Sequence, residues 1–133
     1  MSSAGLLDVQ TFQGTATGEV FYNFVQTHLL PHLMPYNGIN PHSVVVLDNC
    51  SIHHIAEVKR SISEVGALAL FLPPYSPDLN PIEELFSKVK TTLKSAEANM
   101  MHITDLQTLL LASFTQVTEE DCQGWIEHSG IYM

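Results

Sequence analysis

Ser43-Val44-Val45-Val46-Leu47-Asp48 is the stretch on which the fold turns. Its apolar residues run without a polar break, which suits a strand covered on both faces, as in the middle of a parallel or mixed sheet flanked by helices. Asp48 stands at the carboxyl end of that strand. The loop-forming residues Pro35 to Pro41 lead into it. Beyond it, Ile55, Val58, Ile62 and Val65 recur at helical spacing and Gly66 supplies a stop. Ala67 to Leu72 then reads as a second buried strand. Strand, helix, strand is a crossover, so the two strands are expected to be parallel and the connection right-handed.

Working outward, Gly5 to Phe12 has the β-branched and apolar character of a further strand, closed by Gln13-Gly14. Val20, Phe21, Phe24, Val25, His28 and Leu29 predict a helix capped by Thr17 or Gly18 and ended by Pro31 and Pro35. Pro73 to Pro81 carries too many prolines for regular structure and forms a rigid loop. It delivers Asn80 as a cap, Pro81 at the first helical position and Glu83 at the third, ahead of an apolar stripe of Ile82, Leu85, Phe86, Val89 and Leu93. Thr104 with Gln107 repeats the capping pattern, and a last helix is expected from Thr118 to near Gly130.

A chain of 133 residues, 45% hydrophobic, with no internal repeat and no Gly/Ser/Pro linker, reads as a single domain. No apolar run approaches the roughly 20 residues needed to cross a bilayer, so no membrane partner is expected. The first residues carry no basic and apolar pattern of a secretory signal, and Cys50 and Cys122 offer neither a disulfide framework nor a zinc site. The expected setting is intracellular, nuclear if the source is eukaryotic. Five Lys plus Arg against fourteen Asp plus Glu give a formal charge of -9, which opposes unaided phosphate binding. If the chain acts on DNA, something else holds the substrate.

Asp48 is the first candidate for chemistry, because α/β sheets bind ligands outside the carboxyl ends of their strands. A strand ending in Asp also occurs in P-loop ATPases, but the chain contains no G-x-x-x-x-G-K-[ST]. An Asp there also serves simply to cap the next helix. Of Glu83 and Glu84, the stripe puts Glu83 at its border, whereas Glu84 points away and can pair with Lys88 one turn on. Glu83 is thus the better inward ligand, with the capping box as its alternative role.

The segments LDNCSIHH (Leu47 to His54) and LPPYSPDLNPIEELFSKVK (Leu72 to Lys90) resemble the signature of DDE superfamily endonucleases of the Tc/mariner class of transposases and their bacterial insertion-sequence relatives. Between Asp48 and Glu83 lie 34 residues, a spacing this family favours. The resemblance implies an α/β, RNase H-like fold, a mixed sheet flanked by helices and incomplete at its N-terminus over residues 1 to 133. It implies three carboxylates on two divalent ions, with Asp48 matching the second and Glu83 the third. The first would precede Met1. Asp8, the carboxylate of the first strand, matches a later strand by position.

Two-metal phosphoryl transfer places ions about 3.5 to 4 Å apart. Oxygen ligands suit Mg2+ or Mn2+, but two carboxylates hold such a pair poorly. The resemblance also marks Asn49 and His53 as auxiliary residues, His53 matching a recurrent histidine, and makes the Tyr75, Ser76 and Asp78 loop structural. Lys88, Lys90 and Lys94 form a basic stripe that either touches DNA phosphates or is a solvated face. Trp125 and Phe114 read as core, since no basic residues interleave with them. The implied activity is metal-dependent DNA cleavage and strand transfer on transposon ends and target DNA, in a parent protein that can be a homo-oligomer. The isolated chain is expected to be inactive. The other reading is a non-catalytic, transposon-derived module that binds nucleic acid or protein.

Overall fold

The computed structural model describes residues 1–50, 55–74, 79–99 and 106–130. In chain order the elements are α1 (Gly18–Phe24), β1 (Val44–Leu47), α2 (Ala56–Glu64), β2 (Leu68–Phe71), α3 (Ile82–Asn99), α4 (Leu106–Phe114) and α5 (Glu119–Ser129). The chain forms two compact units, one of Gly14–Asn80 and the other of Met1–Gln13 with the chain from Pro81 onward.

In the first unit, the Thr17 hydroxyl accepts from the Val20 amide at 3.2 Å and starts α1. The helix continues as a π-helical turn over Val25–Leu29 and a 3-10 turn over Leu30–His32, the latter containing Pro31. α2 buries Val58 and Ile62 fully, as its periodicity predicted. They join Val25, Val45 and Ala67 in one apolar cluster, bordered by Phe21, Leu29, Leu47 and Ile55. Gln26 Nε2 donates to Ser61 Oγ at 2.6 Å and so ties the π-helical turn to α2. Gly66 ends the turn after α2 at φ +85° and accepts from the Tyr36 amide at 2.8 Å.

β1 and β2 pair in parallel, Val44 opposite Leu68 through Leu47 opposite Phe71, as the crossover requires. Among the described residues they are the whole sheet. The expectation of strands buried on both faces is therefore corrected. Val45 is buried, but Leu68 is 47% and Leu70 52% exposed. Paired residues share a face, so Val44, Val46, Leu68 and Leu70 lie together on one side of the sheet. α2 covers the opposite side, where Lys59 Nζ sits 5.1 Å above the Phe71 ring.

The second unit corrects another expectation. Gly5 to Phe12 is not a strand: Ser2 and Gly5 form one isolated antiparallel bridge, and residues 6–12 join no ladder. Strand propensity alone leaves backbone donors and acceptors unpaired, and a strand exists only with a neighbour to take them. In α3, Leu85 and Val89 are buried, at 2% and 3% exposure, whereas Phe86 is 42% exposed. Leu109 of α4 and Cys122 and Ile126 of α5 are also buried. α5 begins with a reciprocal cap, the Thr118 hydroxyl accepting from the Asp121 amide and Asp121 Oδ2 from the Thr118 amide, both at 3.0 Å. It ends at Gly130 in the left-handed conformation, φ +79°. The Thr118-to-Gly130 reading of this helix holds. Thr104, the other expected cap, lies outside the described residues.

Candidate functional site

Asp48 directly follows β1 and is half-buried. Its Oδ1 accepts from the Cys50 amide at 3.1 Å, a local turn that holds the carboxylate at the tip of the strand. Asn49 beside it is exposed. Because the strands are parallel, β2 ends at the same end of the sheet as Asp48, with the Leu72 amide donating to the Leu47 carbonyl at 2.8 Å. His53, Tyr75, Ser76 and Asp78 lie outside the described residues.

Glu83 is the second residue of α3 and is exposed. Asp48 belongs to the first unit and Glu83 to the second. Neither Asp8 nor any other described carboxylate completes a ligand set. Among the described residues no three His, Cys, Asp or Glu side chains gather closely enough to hold a metal ion. Two carboxylates supply the hard oxygen donors that Mg2+ or Mn2+ prefers, but too few of them to retain an ion pair.

The second unit holds an arrangement the sequence reading did not single out. Glu84, expected to pair with Lys88, instead has its Oε1 2.8 Å from His128 Nδ1 on α5. Lys88 bonds to Asp121 of α5. That bond, with the Thr118 amide, holds the Asp121 carboxyl below the ordinary carboxylate value. Lys88, proposed for DNA phosphate, is thus already engaged, while Lys90 is exposed. Between the two clasps opens a groove of about 490 Å³ lined by Glu84, Ser87, Lys88, Thr91, Thr92 and Trp125. Trp125 is half-buried and faces this groove, so the core reading of it is corrected. The signal was present as spacing: Glu84, Lys88 and Thr91 share one face of α3, and Asp121, Trp125 and His128 share one face of α5. Only packing shows that these faces meet. Cys50 is exposed and Cys122 buried, both as free thiols, and burial pushes the Cys122 thiol up.

Compared with protein-family models, residues 1–107 match that of the DDE superfamily endonuclease. The chain belongs to this family. The match includes β1 with Asp48, β2, the loop that follows and the start of α3 with Glu83. A search of curated proteins found no match. For a DDE superfamily endonuclease the two-stranded parallel sheet and its helices are a consistent α/β arrangement, and the family points to nuclease- or transposase-type chemistry. No helix among the described residues is long and apolar enough to cross a membrane.

Proposed function

We propose that this chain is part of the catalytic domain of a Tc/mariner-like DNA transposase with an RNase H-like fold. The activity of the parent protein would be hydrolytic cleavage at transposon ends, followed by attack of the freed 3′-hydroxyl on target DNA. Asp48 and Glu83 would be the carboxylates that hold Mg2+ or Mn2+, with Asn49 and His53 in auxiliary roles. The observation that carries this reading is Asp48 at the carboxyl tip of β1, beside the parallel end of β2, within the stretch that matches the family and that also contains Glu83. Ligand sites of α/β sheets lie at such strand ends. When bound, the ions would supply the activated water and stabilise the leaving oxygen.

Residues 1–133 by themselves should not cut DNA, since two carboxylates leave the ion pair short of one negative charge. The test is calorimetric titration of Mn2+ into the purified chain and its variants, with a nicking assay in parallel. Weak binding reduced alike by Asp48→Ala and by Glu83→Gln supports the shared site. Binding indifferent to both substitutions would refute it. Nicking that Asp48→Ala abolishes would instead refute the inactivity of the isolated chain. A second reading, a non-catalytic module that contacts protein or nucleic acid, draws on the net charge of -9 and gains if no divalent ion binds at all.

A further inference from the structure

The α3–α5 groove presents an unusual set of surfaces. Glu84 offers a carboxylate, and Ser87, Thr91 and Thr92 offer hydroxyl oxygens. The Thr91 hydroxyl donates to the Ser87 carbonyl at 3.1 Å, so its proton is used and its lone pairs serve as acceptors. The Trp125 indole adds an aromatic face, whose quadrupole is negative. Lys88, the cation in the lining, is bonded to Asp121 and so neutralised. Glu84 is met by His128, whose side chain is 81% exposed and therefore easily displaced. Besides the paired Asp121, α5 carries Glu119, Glu120 and Glu127 and no Lys or Arg.

A ligand that fits should donate hydrogen bonds, carry positive charge and stack on an indole. The arginine guanidinium does all three: five N–H donors, no acceptor, a fixed charge and a planar face. We infer that the α3–α5 groove is a docking site for a basic segment of a partner protein, an arginine stacking on Trp125 and bonding Glu84 in place of His128. A nucleic-acid strand, which could also stack on Trp125, would bring its phosphates against Glu84 and the acidic first turn of α5, so the charge favours a peptide. This docking is independent of the metal reading, because neither Asp48 nor Glu83 lines the groove.

Trp125 is the single tryptophan of the chain, so its fluorescence reports on the groove directly. The full chain would be titrated with a short arginine-containing Gly/Ser peptide, with the same peptide bearing Gln for Arg, and with a single-stranded oligonucleotide. The expected result is a saturable change with the arginine peptide alone, weakened about tenfold by Glu84→Gln. It should weaken with salt and persist in Asp48→Ala. Thr91→Arg, an exposed position, should fill the groove with the chain's own guanidinium and block the peptide even if Glu84→Gln proves hard to fold. Equal responses to the Arg and Gln peptides would overturn the proposal. So would a response to the oligonucleotide and not to the peptide, which would make the groove a base-stacking surface.

Discussion

At Gly66 the backbone and a neighbour act together. Its φ is +85°, and a Cβ there would lie 2.9 Å from Pro35 Cβ and 3.2 Å from Pro35 Cα. Neither a proline ring nor backbone can step aside cheaply, so Gly66→Ala is expected to lower stability by about 1–3 kcal/mol. Gly14→Ala is the control: its φ is +96° but nothing lies within 4 Å, so only conformational strain remains. Urea midpoints of the two variants, at unchanged m, would separate clash from strain. Ile62 is fully buried among Val25, Val45, Val58 and Ala67, and Ile62→Ala should cost about 2–5 kcal/mol as the cavity fails to close. The legibility of these two residues differs. Ile62 was evident from its period, and Gly66 was evident as a helix stop, but its contact with Pro35 was not, because a steric neighbour distant in sequence leaves no local pattern.

Among the elements, α5 shows how far local rules reach. Thr118, Asp121 and Gly130 start and stop the helix as capping chemistry demands, and Thr118→Ala should destabilise the chain by about 1 kcal/mol. The Asp121 carboxyl is held below its ordinary value by Lys88 and Thr118. Its folded-state affinity for a proton is thus lower than in the unfolded chain. The stability it contributes is present above the unfolded value, near pH 4, and is lost as pH falls through the lower folded value. Chemical denaturation between pH 7 and pH 2 should therefore show an acid-side loss that is smaller in Asp121→Asn. A loss of equal size in both proteins would show that other carboxylates carry it. Gly5 to Phe12 is the converse case. Its residues favour a strand, but no ladder forms, because hydrogen bonding between strands is a property of pairs rather than of one segment.

For the whole molecule, the charge of -9 governs encounter with nucleic acid. Duplex DNA should bind the isolated chain only weakly at physiological salt, as few cations are available to displace counterions from phosphate. Fluorescence anisotropy with a labelled duplex over a range of salt would check this. Tight binding that falls steeply with salt would reveal a phosphate-binding surface that the composition conceals. With Leu68 and Leu70 exposed, the sheet that β1 and β2 form among the described residues has less apolar cover than the sequence suggested. Runs such as Val44 to Leu47 tell how apolar a strand is, but not how many layers lie over it.

The amino-acid sequence determined the order of helices and strands after Gly14, the parallel crossover of β1 and β2, the caps of α1 and α5, and the family, through its Asp-Asn and Ser-Pro-Asp-Leu-Asn-Pro-Ile-Glu segments. These follow from periodicity, capping chemistry and short motifs, all of which act within a few residues or one crossover. Tertiary structure alone decided that residues 6–12 stay outside a ladder, that Leu68 and Leu70 of β2 are left exposed, and that Glu84, Lys88 and Trp125 come together with Asp121 and His128. Each of those outcomes depends on which surface meets which across long stretches of chain, and burial, ion pairing and ladder formation are set by that meeting.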